Sequence, residues 1–216
     1  MTVFLCIATN NYNRFLPALH QSITEHLPGV DLICFVNEYN PELKARQIFI
    51  EHPQFPGATL GRFEIYLRHR ALWANYDHVY HIDADMLVTG KFSTEWPLVA
   101  VPHWGHYETK DGPFCDDHNS SAFVFKSKRE TYYTAQFYGG RSAEFESLLI
   151  RCLHKYQEDK KNGIKVQWHD ETYLNCVLSY SPPIQLKPGF IMPEGEEPND
   201  YTKMTALVKD NKVMQL

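Results

Sequence analysis

Two stretches of this chain place carboxylates where they could do chemistry. The first is HIDADMLV, residues 81–88, in which Asp83 and Asp85 stand two apart after a short apolar run. Carboxylates at i and i+2 beyond a strand's end can meet one hard divalent cation if the backbone turns there. Such a cation bridges phosphate oxygens and stabilises the charge of a departing diphosphate. A solvated turn after a strand has the same short pattern, so the pair takes its meaning from its setting. The second stretch is Gln167, Trp168, His169, Asp170 and Glu171. Adjacent acids at a helix start complement the helix dipole. An indole beside them also suits the apolar face and the hydroxyls of a sugar. Transfer with retention at an anomeric carbon needs a group on the face opposite the leaving group. A carboxylate serves there, as nucleophile or as stabiliser of an oxocarbenium-like state.

A competing metal cluster lies between these stretches. His103, His106, Cys115, Asp116, Asp117 and His118 fall within sixteen residues and could ligate zinc, although their spacing matches no standard Cys/His pattern. A serine hydrolase is disfavoured because no G-x-S-x-G elbow occurs, and neither a P-loop nor G-x-G-x-x-G is present.

The surrounding sequence reads as the scaffold that must hold these groups. Val3–Ala8 and Val30–Val36, the latter apolar but for Asp31, read as strands buried on both faces. Gln47–Ile50 is a third strand candidate and His78–Ile82 a fourth, which delivers Asp83 and Asp85. Helical spacing runs from Phe15 to Leu27 and again from Thr59 to Tyr76. This alternation predicts an α/β fold with a mostly parallel, Rossmann-like sheet, in which ligands bind beyond the carboxyl ends of the strands. Further along, Leu98–Val101, Ala122–Phe125 and Tyr132–Tyr138 read as strands, the last stopping at Gly139 and Gly140. Ser142 is placed to cap a long helix through Glu158, and Trp168–Tyr180 reads as a shorter one. Four prolines from Pro182 to Pro193 mark a loop-rich tail.

With 216 residues and no repeat or break in composition, one domain is expected. A net charge of −5 without a basic run argues against a nucleic-acid partner. Five cysteines without a C-x-x-C pair point away from a disulfide scaffold. The N-terminal apolar run is too short for a signal peptide, and no segment has the length of a membrane span. A cytoplasmic protein is the expectation.

Taken in order, the segments IATNNY (7–12), TLGRF (59–63), HIDADMLV (81–88), YYTAQFYGG (132–140) and WHDETYLN (168–175) resemble one family. It is the retaining α-1,3-glycosyltransferase family of the histo-blood-group A and B transferases and α-1,3-galactosyltransferase, and its shorter bacterial or viral members are the nearest in form. The resemblance implies a GT-A fold in a single catalytic domain over residues 1–216. Residues 1–90 would form the nucleotide-sugar half, and 91–216 the acceptor-binding and catalytic half. The reaction implied is transfer of a hexose, galactose before N-acetylgalactosamine, from a UDP-sugar donor to an acceptor oligosaccharide of galactoside type.

The resemblance also assigns roles. Ile7, Ala8, Thr9 and Tyr12 would cradle the uridine, and Lys209 in ALVKDNK would close over the phosphates. Asp83 and Asp85 would hold Mn²⁺; many bacterial relatives carry Asn-x-Asn instead, so both acids here imply use of metal. Arg62, Ala135, Gln136 and Asp170 would meet the donor sugar. His103, His106, Thr134 and Trp168 would line the acceptor pocket, and Glu171 would face the anomeric carbon. Thr134 and Gln136 depart from the residues usual in the family. Two rival readings are a glycogenin- or lipopolysaccharide-type retaining transferase, whose C-terminal HxxGxxKPW signature is missing, and an inactive UDP-sugar-binding module.

Overall fold

A computed structural model describes residues 1–52, 57–109 and 111–209. Strand β1 (Thr2–Ala8) leads through a 3-10 turn at Asn10–Phe15 into α1 (Leu16–His26), and β2 (Val30–Val36) and β3 (Arg46–Phe49) follow. Helices α2 (Gly57–Leu60) and α3 (Arg62–Arg68) then precede β4 (His78–Ile82), β5 (Met86–Val88) and β6 (Leu98–Pro102). The second half holds β7 (Tyr133–Arg141), α4 (Ser142–Lys161) and α5 (His169–Tyr180). It closes with three short strands: β8 (Ile184–Gln185), β9 (Ile191–Pro193) and β10 (Met204–Ala206).

Seven strands form one mixed sheet in the order β3-β2-β1-β4-β7-β6-β8. β1 pairs in parallel with β2 on one side and with β4 on the other. The chain thus leaves β1 in one direction and later returns on its other flank, which makes a topological switch point at the carboxyl ends of β1 and β4. β7 runs antiparallel to both β4 and β6. A second sheet, β5-β10-β9, carries the C-terminal segment back over the chain just after Asp85.

Both faces of the main sheet are covered, which is why β1 is apolar from Val3 to Ala8 and β2 from Leu32 to Val36. Val3 and Leu5 pack with Phe63, Tyr66, Phe145 and Leu148 on the side of α3 and α4. Phe4, Cys6 and Ala8 point the other way, against Leu16, Leu19 and Ile23 of α1. The five cysteines are free thiols. Among the described residues no helix is long and apolar enough to cross a membrane.

Four expectations need correction. The stretch Thr59–Tyr76 is not one helix. α3 ends at Arg68, and the indole of Trp73 donates to the Tyr66 carbonyl at 2.9 Å, drawing the ring into the core where a continuing helix could not place it. β7 does not stop at Gly139 and Gly140 but runs through them to Arg141. A Cβ at Gly139 would lie 2.3 Å from the Val79 carbonyl oxygen, and one at Gly140 2.0 Å from that of Pro97. The pair is there because β7 threads closely between two neighbours, not to end the strand. Ala122–Phe125 is not a strand: Ser120 Oγ accepts the Ala122 N–H, Arg129 Nε donates to the Val124 carbonyl at 2.9 Å, and the Tyr180 hydroxyl of α5 accepts the Phe125 N–H at 3.3 Å, so these backbone groups bond to side chains rather than to a neighbouring strand. Ser142 makes no side-chain cap; α4 begins directly from the extended Arg141.

Candidate active site

The carboxyl ends of β1 and β4 bring the two carboxylate stretches to one place. β1 ends at Ala8, and Asn10 takes a left-handed conformation (φ 52°). Asn is tolerant there, and the turn is held from β2: the Asn10 N–H donates to Asn37 Oδ1 at 2.8 Å, and Asn37 Nδ2 to Asn10 Oδ1 at 2.9 Å. β4 delivers Asp83, whose N–H donates to the Gln136 carbonyl of β7 at 3.0 Å. On the far side α5 opens at His169, also left-handed (φ 48°), and presents Asp170 and Glu171 in its first turn. Two non-glycine residues at positive φ bracket the site, a form of local strain found most often where function fixes geometry.

Arg62 joins the two stretches. Its guanidinium is buried, with 6% of the residue exposed. Nη2 donates to Asp83 Oδ1 and Nη1 to the Ala135 carbonyl, each at 3.0 Å, and Nη1 forms an ion pair with Asp170 Oδ2 at 3.0 Å. Burial opposes its charge, but Asp170 and Asp83 outweigh this and keep it firmly protonated. The carboxylates respond unequally. Burial pushes Asp83 up, yet Arg62, then His81 and Lys209, bring it down to about 2. Burial wins at Asp170, raised to about 6 although Arg62 pulls the other way. Removing this hub leaves buried Asp170 without its counter-charge and takes the guanidinium from half-buried Asp83. Arg62→Met is expected to cost about 3–5 kcal/mol of stability, read from denaturant unfolding at pH 7. A loss under about 1 kcal/mol would contradict the hub's role as a buried ion pair.

Glu171 is raised further, to about 7, by burial, with Asp170 adding to the rise and the Ala135 N–H opposing it. That N–H donates to Glu171 Oε2 at 2.9 Å. The side-chain amide of Asn175 seats this turn of α5 against β7. It accepts the Tyr133 N–H at 2.7 Å and donates to the Tyr133 carbonyl at 2.8 Å and to that of Glu171 at 3.0 Å. Tyr132 lies next to Glu171, and the carboxylate raises the phenol above its usual range, after burial.

Asp85 is 2% exposed and is raised, first by burial and then by Asp83. Its Oδ1 is buried without a hydrogen-bond partner, while Oδ2 pairs with the ammonium of Lys209. Lys209 also stands 5.1 Å over the Tyr12 ring, and the backbone at Leu207 donates to the Asp85 carbonyl at 2.8 Å. Residues 210–212 of ALVKDNK lie outside the described residues. The ammonium is itself a positive charge held at the acidic pair, and the other oxygen of Asp85 is buried without a partner. Both features fit a divalent cation. Among the described residues no group of three or more His, Cys, Asp or Glu is placed to hold a metal. Two carboxylates completed by substrate phosphates and water are the usual arrangement for a hard cation at a diphosphate.

The remaining sequence-derived residues fall as follows. Ala8 is wholly buried and Thr9 nearly so, so the uridine-side set offers backbone at Ala8 and side chains at half-buried Ile7 and Tyr12. Thr134 is buried, and its hydroxyl donates to Gln136 Oε1 at 3.2 Å. His103 and His106 lie with ring centroids 4.8 Å apart and both flank Tyr132. Burial, then His106, lowers His103 to about 4, so it is neutral at pH 7. Trp168 is 46% exposed and lines a separate cleft with Phe114. The zinc alternative is not assembled: His118 packs on Phe123 at 4.1 Å, away from the His103–His106 pair.

Sequence reasoning missed His81, Tyr66, Tyr132 and Asn175. His81 is 1% exposed, with Nε2 2.9 Å from Asp83 Oδ1 and 2.7 Å from Arg62 Nη1, and Nδ1 2.7 Å from the Tyr66 hydroxyl. Burial, then Arg62, lowers it to about 4, so it braces Asp83 without adding charge. A histidine in the middle of a buried strand, two residues before an acid, was the available signal.

The seven-stranded mixed α/β sheet, with an acidic pair at its switch point joined through one buried guanidinium to Asp170, is a GT-A type glycosyltransferase fold. The chain belongs to glycosyltransferase family 6, whose sequence pattern matches residues 59–215. It is 26% identical over 220 residues to the O-antigen biosynthesis glycosyltransferase WbnI of Escherichia coli, covering 95% of this chain and 94% of that one. To the globoside alpha-1,3-N-acetylgalactosaminyltransferase 1 of the dog it is 30% identical over 147 residues, 65% of this chain and 42% of the dog enzyme. To the rat histo-blood group ABO system transferase 1 it is 32% identical over 97 residues, 44% of this chain and 28% of the rat enzyme. The matched region thus spans less than half of either mammalian enzyme and nearly all of the bacterial one.

Proposed function

We propose that this chain is a retaining, UDP-sugar-dependent α-1,3-hexosyltransferase that moves galactose onto a galactoside-type acceptor oligosaccharide. The observation that carries the reading is Arg62, which ties Asp83 at the switch point to Asp170 beside Glu171. A ligand seated between them has its diphosphate at one end of the hub and its sugar at the other. In one catalytic domain, residues 1–90 then supply the nucleotide-sugar half and 91–216 the acceptor and catalytic half. The names of the relatives support the reaction class, and they include both galactosyl and N-acetylgalactosaminyl transferases.

Asp83 and Asp85 would hold Mn²⁺, which when bound takes up diphosphate charge as a Lewis acid. Backbone at Ala8 and Thr9 with the Ile7 and Tyr12 side chains would seat the uridine. Lys209, paired with Asp85 in this structure, would transfer its charge to the phosphates. Arg62 and Asp170 would orient donor hydroxyls, and Ala135 and Gln136 would bound the sugar from β7. Glu171, held by the Ala135 N–H, would stabilise positive charge at the anomeric carbon. His103, His106, Thr134 and Trp168 would frame the acceptor. UDP release from UDP-galactose with Mn²⁺ tests the whole: a galactoside acceptor is expected to stimulate it. Absence of release with every acceptor would overturn the reading.

Gln136 supplies the donor prediction. Its side chain is half-buried and tied to Thr134 on the same face of β7, so it fills volume that an acetamide would need. Steric exclusion of this kind gives selectivity of about tenfold to two-hundredfold. UDP-galactose is expected to exceed UDP-N-acetylgalactosamine in kcat/KM, and Gln136→Gly to shift the ratio toward the latter. Equal or better use of the N-acetyl donor by the unmutated protein would refute this.

A further inference from the structure

A cleft of about 300 Å³ lies at the end of the main sheet opposite the acidic pair, and the transferase reading assigns it no residue. Its walls are the first residues of β2, the stretch from Lys44 to Arg46 that enters the edge strand β3, His20 of α1, and Tyr76 ahead of β4. β1, β2 and β4 are parallel, so their amino and carboxyl ends gather at opposite ends of the sheet. Seven residues of β2 at about 3.3 Å each put roughly 20 Å between this cleft and the end that carries Asn10 and Asp83.

Lys44 and Arg46 are exposed, and among the described residues neither stands in an ion pair. Asp31, the one acid of the lining, already holds a partner: the Tyr76 hydroxyl donates to its Oδ2 at 2.7 Å. Arg46 is near enough to this pair to pull the Tyr76 phenol down, against burial and Asp31, which raise it. The cleft thus sets two cations against one acid, on a chain whose net charge is −5. Acids outnumber lysines and arginines by 26 to 21, so two cations left together without a counter-charge at a cavity wall make a local positive field that draws an anion.

We propose that this cleft binds the phosphate group of a small phosphorylated molecule, separately from the catalytic site. A phosphate dianion takes charge-assisted hydrogen bonds from both cations, and the planar guanidinium of Arg46 can engage two of its oxygens at once. Asp31, His20 and the Tyr76 hydroxyl supply polar partners for hydroxyls on the body of the ligand. The volume lies at the small end for ligand pockets and holds a phosphate with a compact polar body. A phospholipid headgroup presents the same phosphate. None of the exposed large apolar side chains lines the cleft, however, so among the described residues nothing there enters a bilayer, and the soluble ligand is the one the lining fits.

The test titrates glucose 6-phosphate, glucose and inorganic phosphate by calorimetry into the full chain and into the variant Lys44→Gln/Arg46→Gln. UDP and Mn²⁺ are present in excess to fill the proposed donor site. Both substitutions are at exposed positions, so the variant should melt with the unmutated protein and release UDP at the same rate. Glucose 6-phosphate is expected to bind at one site per chain, inorganic phosphate more weakly, and glucose not at all. The variant should lose about a hundredfold in affinity for glucose 6-phosphate, the worth of two charge-assisted bonds. No binding of either phosphate, or binding that survives in the variant, would overturn the site. A second arm sediments the chain with phosphatidylglycerol and with phosphatidylcholine vesicles. Capture by the anionic vesicles alone, lost in the variant and without binding of the free phosphates, would assign the cleft to a lipid headgroup and overturn the soluble ligand. None of these results bears on the transferase reading, which stands or falls on UDP release.

Discussion

Glu171→Gln is expected to lower kcat by roughly two to four orders of magnitude, with UDP affinity by calorimetry close to that of the unmutated protein. The amide oxygen can still accept the Ala135 N–H, so the backbone of β7 and the first turn of α5 keep their register. What is lost is the negative charge that the proposed mechanism sets against the reacting carbon. The same substitution should stabilise the fold at alkaline pH. Folding raises Glu171 from 4.5 to about 7, so the folded chain binds this proton more tightly than the unfolded one. Stability then falls as pH rises through that window, and the full penalty, on the order of 3 kcal/mol, is present above it. Glutamine removes the penalty. The variant is expected to melt higher than the unmutated protein at pH 8 and at the same temperature near pH 4. The rate of the unmutated enzyme should climb as pH rises through about 7, as Glu171 loses its proton. Near-normal turnover in the variant, or a lower melting temperature at pH 8, would contradict the role given to this residue.

The second large effect is at Asp85. Asp85→Asn should lower turnover with Mn²⁺ by about a hundredfold to a thousandfold, the rate equivalent of a few kcal/mol of charge stabilisation. An amide oxygen is a weaker ligand for a hard cation, and the buried Oδ1 that has no partner in the protein would lose its charge. Calorimetric titration of Mn²⁺ into the UDP-bound protein should show weaker binding in the variant. Full turnover by the unmutated protein in excess EDTA would show that Asp83 and Asp85 serve another purpose.

The parts of this fold that were legible in sequence are those whose pattern is set locally. β1 and most of β2 are apolar runs because both faces of the central sheet are covered, and α1 shows its one buried face. The D-x-D pair and the acids opening α5 were equally plain, because strand ends and helix starts are sequence-local events. What escaped was decided across the chain. Trp73 turns back to the Tyr66 carbonyl and ends α3; no propensity in Thr59–Tyr76 announces that. Gly139 and Gly140 read as a stop, whereas the carbonyls of Val79 and Pro97 demand them inside a strand. His81 and Tyr66, fifteen residues apart, meet at 2.7 Å through packing of α3 on β4. Likeness to a family implied only that Arg62 and Asp170 both meet the donor sugar; the contacts with Asp83 and Asp170 that make Arg62 a hub were not legible.

The central claim is transfer with retention, and the configuration of the new bond tests it most directly. With UDP-α-galactose as donor and a galactoside as acceptor, proton NMR of the isolated product should show the small anomeric coupling of an α-linkage. A large coupling, the mark of a β-linked product, would mean inversion, and Glu171 could not then act on the face opposite the leaving group.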